Sequence, residues 1–362
     1  MDSEIVTKTD RAITHGALTH AEIIQQPELW ADTFDRVIRS LKRYNWLSPD
    51  ADFVFAGAGS SAYAGLAVQG AFPAARAIAT TDLLADPAPQ FGPGGVLVSL
   101  ARSGDSPESV AVVRRVQRLC PHVRHVAITC NAQGQLAQCP GVTPIVLDPR
   151  TNDRSLAMTS SFSNMVLAGM CLGRHGEIGR DLTQVCARVK QRLAELEERA
   201  QRLAAGEVNR VVILASAPMM GWAQEAALKI LEMSAGRIPV MPETHLGLRH
   251  GPMSFLRPDT FVLSILSTDP LRRRYEEDLL TELRAKQLGR MVVISPEHGP
   301  AFAEVVPAMA GELPDSLRTP FEIVFPQLFA YHLSLQSGLN PDNPSPGAVI
   351  TRVVQGVRIH EG

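Results

Sequence analysis

Two hydroxyl-rich turns and one charged helical stripe hold the residue types in this chain that can do chemistry. In Gly57-Ala58-Gly59-Ser60-Ser61-Ala62 the glycines let backbone approach a ligand closely, and Ser60 and Ser61 add two hydroxyls. The segment follows an apolar run and opens a helical pattern, so unpaired N–H groups at a helix N-terminus would meet an anion such as phosphate. The same letters fit G-x-G-x-x-A, with Asp82 about 20 residues further on, so a dinucleotide-binding turn is the rival reading. Residues 99–109 (SLARSGDSPES) tip the balance toward phosphate. A dinucleotide fold gives no reason for a second Ser/Gly turn, whereas a monophosphate gripped from both sides does. Ser103 and Ser106, with Gly104 between them, would then face Gly59, Ser60 and Ser61. Asp105 and Ser106 also suit a helix cap ahead of Pro107, and the two roles are compatible. A third polar cluster, residues 151–164 (TNDRSLAMTSSFSN), contains Thr159 and Ser160; alone it reads as a loop with a helix cap.

Glu225, Lys229 and Glu232 recur at i, i+4 and i+7 and share one face of a helix. A surface ladder of this kind would contribute only ~0.3–0.5 kcal/mol per pair. The neighbouring residues, AALKILEMSA, are otherwise apolar, and in such a setting a carboxylate's pKa rises toward that of a useful general base. His245 and His250 lie in PETHLGLRHGP, a spacing unsuited to paired metal ligands, and no H-E-x-x-H is present, so no metal is expected. A histidine remains the side chain best suited to move protons near neutral pH. The cysteines at 120, 130, 139, 171 and 186 are odd in number and form no C-x-x-C, which argues against a disulfide framework or a zinc site.

These residues need elements to place them. Short apolar runs at 52–56, 77–80, 95–100, 123–129 and 142–147 alternate with helical patterns, the signature of a parallel sheet covered on both faces. The second half replays the order: strands at 208–215, 261–267 and 289–295 match those at 52, 95 and 123 at an offset of about 160 residues. Such an offset is too long for a solenoid and indicates a tandem duplication of a doubly wound α/β domain. The expected domains are 35–186 and 208–345, joined by a charged amphipathic helix at 187–207 and followed by a tail at 346–362 that reads as partly strand-like. The second copy lacks both Ser/Gly turns, having SAPMMGWAQ and TDPLRRRYE in their places. Ligands of open α/β sheets sit at the carboxyl ends of the strands, so a phosphate site belongs to the first half.

Composition narrows the class further. In 362 residues, 35 Lys+Arg against 37 Asp+Glu leave a net charge of −2, with no basic block for nucleic acid or an anionic membrane. The chain is 45% hydrophobic and 20% charged, an ordinary globular balance. No apolar run approaches the ~20 residues of a membrane span, and MDSEIVTKTD is not a secretory leader, so a cytoplasmic protein is expected.

Taken together, GAGSSAYAG, SLARSGDSPES, EAALKILEMSAG and LRHGPMSF resemble the paired sugar-isomerase (SIS) domains that handle phosphosugars, in the right order from about residue 35 onward. The segments TNDRSLAMTSSFSNM, RHGPMSF and NPDNPSP…TRVVQGV resemble more narrowly the tagatose-6-phosphate ketose/aldose isomerase group, linked to galactosamine-6-phosphate deamination and isomerisation. The resemblance implies flavodoxin-like three-layer domains and a sugar phosphate held by Ser60, Ser61, Ser103 and Ser106 within the Gly59 and Gly104 turns, with Thr159 and Ser160 nearby. It implies Glu232 as enolisation base beside Lys229 and Glu225. It also implies ring opening by His250 from a neighbouring subunit, hence a homodimer with shared sites. No organic cofactor is implied. Relatives of the synthase type carry a catalytic Lys near the C-terminus; here that stretch reads VITRVVQG, and there is no Cys at position 2, so glutamine-dependent amination is not expected. A plain sugar-phosphate isomerase, a fructosamine-type deglycase and a non-catalytic sugar-phosphate sensor are the alternatives.

Overall fold

A computed structural model describes residues 15–296, 298–354 and 356–360. The chain begins with α1 (Ala17–Ile24) and α2 (Gln26–Arg43). The first sheet and its helices follow as β1 (Asp52–Gly57), α3 (Ser60–Gln69), β2 (Arg76–Ala79), α4 (Thr80–Ala85), β3 (Gly95–Ala101), α5 (Pro107–Leu119), β4 (Arg124–Thr129) and β5 (Val142–Val146). A helix of 45 residues, α6 (Ser160–Ala204), leads to the second set. This comprises β6 (Val211–Ala215), α7 (Met220–Met233), β7 (Val240–Thr244), β8 (Phe261–Ile265), α8 (Pro270–Ala285), β9 (Arg290–Ser295), β10 (Glu304–Pro307), α9 (Asp315–Glu322) and α10 (Val324–Gln336).

Both sheets have five parallel strands, ordered β2-β1-β3-β4-β5 and β10-β9-β8-β6-β7. Read from the other edge, the second order places β7, β6, β8, β9 and β10 where the first has β2, β1, β3, β4 and β5. Central strands such as β3 (GVLVSLA) and β6 (VVILA) are buried at every residue, as expected of parallel strands covered on both faces. The helices start where local chemistry asks. Pro107 and Pro270 stand at first positions, where a missing N–H costs nothing, and the Asp269 side chain accepts from Leu271 N at 3.1 Å and Arg272 N at 2.8 Å.

Three differences from the sequence reading have physical causes. Strands β7 (VMPET) and β10 (EVVP) escape notice because each contains a proline and polar residues; both are edge strands, where a missing N–H is tolerated. The helix expected at 187–207 starts far earlier, at Ser160, because the apolar run MVLAGMCL is buried helix and continues through a kink at Arg174 (φ −115°, ψ 16°). The strand-like tail forms no strand: residues 349–354 and 356–360 are irregular and meet the body through side chains and single carbonyls rather than a ladder.

One hydrophobic cluster runs through both halves. It extends from Phe55 and Val98 of the first sheet, through Phe162 and Trp222 of the intervening helices, to Ile213 and Leu263 of the second sheet. The outer face of each sheet has its own smaller cluster. Helix α3 of the first half packs on α7 of the second at very short range: a Cβ on Gly221 would stand 2.4 Å from Ala67 N and 2.6 Å from its Cα. That approach is what lets a serine at the start of α3 reach side chains on α7.

Gly221→Ala is therefore expected to force the two helices apart, destabilising the protein by about 1–3 kcal/mol as overpacking does. A thermal melt checks this, and the matching assay is a loss of catalytic activity in the still-folded variant.

Candidate active site

At the turn after β1, Gly59 has φ 58° and ψ −131°, a conformation that side-chain-bearing residues avoid, and the space beside it is open. The turn delivers Ser60 to the first position of α3, where it is 4% exposed. Its hydroxyl accepts from Lys229 Nζ at 3.0 Å and donates to Glu225 Oε1 at 3.1 Å. Lys229 Nζ also lies 3.3 Å from Glu225 Oε1 and bonds directly to Glu232 Oε2. The i, i+4, i+7 stripe is thus not a surface ladder. Glu225 and Lys229 are fully buried, while the Glu232 side chain is 21% exposed.

Burial and the nearby Glu232 push the Glu225 carboxyl up to about 8, against the opposing pull of Lys229. Its Oε2 has no hydrogen-bond partner. Burial acts to lower the Lys229 pKa, but Glu225 and Glu232 together hold it above its ordinary value. A neutral Glu225 beside a Lys229–Glu232 ion pair makes the trio electrically neutral, the economical state when two of its three members are fully buried. Tyr63, one turn along α3, also belongs to this environment: burial, then Glu225 and Glu232, raise its pKa.

The other expected site residues are placed differently. Ser103 and Ser106 are half-buried; the Ser103 hydroxyl accepts from Asp105 N at 3.2 Å and that of Ser106 donates to Glu108 Oε2 at 2.7 Å. Gly104 has φ 71°, and a Cβ there would touch Gly134 Cα at 3.4 Å, so the turn after β3 is tight. Ser61 is buried beside Ser60. Thr159 and Ser160 have no solvent exposure, and their N–H groups donate to Asp153 at 2.8 and 3.1 Å. Through these bonds they hold the loop before α6 in place. His250 is exposed on the short turn Gly247–His250 and has no hydrogen bond to Glu225, Lys229 or Glu232. His245 is sealed between Ser216 Oγ (3.0 Å) and Ser264 Oγ (2.8 Å), and burial pushes it down to about 3, so it stays neutral. Among the described residues no group of three or more His, Cys, Asp or Glu is arranged to hold a metal ion, and no helix is long and apolar enough to cross a membrane.

Glu232 opens into a cleft of about 490 Å³ whose walls are Leu228 and Leu231 of α7 and Ser345, Pro346 and Ile350 of the tail. Two arginines that sequence reasoning passed over hold the tail there. The Arg352 guanidinium donates to Asp153 O (2.8 Å, through Nε) and Asn152 Oδ1 (2.7 Å). Arg102, 6% exposed, donates to Arg352 O and to Leu156 O (3.3 Å). Burial lowers the Arg102 pKa, with Asp153 and then Glu232 among the charges acting the other way. The available signal was a lone arginine inside the serine turn SLARSG.

No protein-family model matches the chain. Among curated proteins it is similar to the AgaS protein of Streptomyces coelicolor, 37% identical over 94% of this chain and 95% of that one. It is also similar to the D-galactosamine-6-phosphate deaminase AgaS of a Shewanella species, 34% identical over 99% of this chain and 96% of the relative. Among solved structures, the tagatose-6-phosphate ketose/aldose isomerase of Escherichia coli superposes with a TM-score of 0.84 at 29% identity, covering 96% of this chain and 97% of that one.

The raised Glu225 pKa has a definite pH consequence. The folded chain keeps this proton up to about pH 8, whereas an ordinary glutamate releases it near 4.5. Stability from this group is therefore complete below about pH 4.5 and is lost as the pH rises toward 8. Urea melts at pH 5, 6.5 and 8 should show wild type losing ground to Glu225→Gln, whose amide cannot ionise, as the pH increases.

Proposed function

This chain belongs to the D-galactosamine-6-phosphate deaminase AgaS family of phosphosugar enzymes, and on that premise we propose that it converts galactosamine 6-phosphate and water to tagatose 6-phosphate and ammonia. The observation that carries the proposal is the contrast within one helix: Glu232 reaches the cleft while bonded to a buried ammonium, and Glu225 is closed off. A reachable carboxylate beside a fixed cation is what enolisation requires.

In this reading the Gly59 and Gly104 turns, with Ser61, Ser103 and Ser106, hold the sugar phosphate at the carboxyl ends of β1 and β3, and remote binding energy orients the sugar. Ser60 acts through Lys229 and Glu225 rather than as a phosphate ligand, because its hydroxyl is already engaged with both. His250, supplied by a second copy of the chain, moves the proton that opens the ring and exposes the C1 aldehyde. Glu232 then takes the proton from C2, giving an enolamine, and returns it at C1. Lys229 steadies the negative charge that develops on the C1 oxygen during this transfer. The product is a ketimine at C2, which water cleaves to the ketone and ammonia. An exposed His250 with no hydrogen-bond partner among the described residues supports a shared site and so a homodimer. A phosphorylated sugar as substrate supports a cytoplasmic location.

Ammonia release from galactosamine 6-phosphate, with glucosamine 6-phosphate in parallel, tests the reaction. Glu232→Gln should lose about 100- to 10,000-fold in kcat while still binding sugar phosphate. No ammonia from either sugar, with binding intact, would overturn the deaminase assignment. Mixing inactive Glu232→Gln and His250→Asn chains should restore about one quarter of wild-type activity, since half the dimers would carry one intact site. No recovery in dimers shown to have exchanged would rule out sharing.

A further inference from the structure

The second sheet has a turn where the first has its SLARSGDSP turn. Strand β8 lies between β6 and β9 as β3 lies between β1 and β4, and residues 266–269 (LSTD) lead into Pro270 of α8 as residues 102–106 lead into Pro107 of α5. In the first half the turn's serines are half-buried and solvent reaches them. In the second half three donors of the turn, the Ser267 and Thr268 hydroxyls and Thr268 N, point at one carboxylate, that of Asp315 at the start of α9, which is 6% exposed, while Ser267 N donates to Glu276 Oε2 at 2.7 Å. Asp315 Oδ1 accepts from Thr268 N (2.8 Å), Thr268 Oγ1 (3.0 Å) and Arg318 Nη1 (3.1 Å). Its Oδ2 accepts from Ser267 Oγ and from Arg272 Nη1 (2.8 Å). Arg318 has no solvent exposure and is braced by Leu266 O at 2.8 Å.

Two guanidinium groups, two hydroxyls and a backbone N–H converging on a strand's carboxyl end form the donor set that holds a tetrahedral oxyanion. We propose that the turn after β8 is an oxyanion cradle, suited to sulfate, inorganic phosphate or the phosphate of a sugar, which the native chain keeps filled with its own Asp315 carboxylate. The second half consequently binds no sugar phosphate, although its backbone repeats the first half's turn. Glu322 cannot replace Asp315: it stands 3.4 Å from Arg318 Nε and is already held by Met309 N and Ala310 N. Removing Asp315 leaves the Ser267 and Thr268 donors and the Arg272 guanidinium without this acceptor and Arg318 with Glu322 alone, and a small oxyanion restores the missing partner. None of this rests on the reaction assigned to Glu232.

The test is a thermal melt of full-length Asp315→Ala in sulfate or inorganic phosphate against chloride at matched ionic strength. Wild type and Asp269→Ala serve as controls; the latter loses the α8 cap but keeps Asp315. The controls report both the general salting effect of sulfate and any oxyanion bound in the first half, which all three proteins share. Asp315→Ala should regain half or more of its lost melting temperature at about 10 mM sulfate, a shift several-fold larger than in either control. Equal sulfate-minus-chloride shifts in all three proteins overturn the proposal. Should Asp315→Ala fail to fold when expressed, its refolding yield from denaturant in sulfate against chloride reads the same quantity, and Asp315→Asn supplies a second chain. Yields and melts of both variants that are no better in sulfate than in chloride also overturn it.

Discussion

An ammonium group without any solvent exposure is costly, on the order of several kcal/mol if left unpaired, and Lys229 is such a group. Its partners determine the arrangement around it. Two come from its own helix, Glu225 and Glu232, and one from the other half of the molecule, Ser60. The serine can arrive only if α3 and α7 pack almost backbone to backbone, which requires glycine at 221 opposite Ala67. The charge on one side chain thus explains a helix contact, a glycine and the relation between two sheets. The same arrangement sorts two glutamates seven residues apart into different states: a sealed acid that keeps its proton, and a half-open carboxylate beside a fixed cation.

Most of the architecture could be read in advance because it depends on periodicity. Buried parallel strands such as VVILA, and GVLVSLA with Ser99 alone polar, read as near-continuous apolar runs, and the glycine-bearing turns that follow β1 and β3 mark strand ends clearly. Edge strands β7 and β10 combine a proline with polar residues and leave too short an apolar run to read, and residues 349–354 (VITRVV) have the composition of a strand but join no sheet. Of the site, the Glu225–Lys229–Glu232 face was legible because helical spacing is local. The partners of that face were not. Nothing in the spacing of Ser60 reveals that its hydroxyl turns toward a lysine 169 residues away. Nor does it reveal that Thr159 and Ser160 are closed over by Asp153. Arg102 acts on a carbonyl 250 residues away in sequence and Arg352 on one 199 residues away, relations with no periodic signature.

The two halves also show what a common backbone leaves undetermined. Their strand orders correspond, and both place a helix that begins at a proline after the third strand in sequence order. Yet one turn remains half-open and the other is crowded with its own carboxylate and guanidinium groups. Side chains on the following helices, not the path of the chain, account for the difference.

The hydrophobic cluster that joins the halves bears on how the protein is made. Helix α3 is complete at Gln69, but α7, which covers it, ends at Met233. At a synthesis rate of about 5–20 residues per second, the intervening stretch takes roughly 8–33 s to emerge. During that interval the apolar face of the nascent first half, around Ala64, Ala67 and Val68, lacks the part of its native cover that α7 supplies, α6 reaching Val68 at Gly169 sooner. The contact that gives the finished enzyme its buried lysine therefore leaves apolar surface waiting for its partner helix while the chain grows.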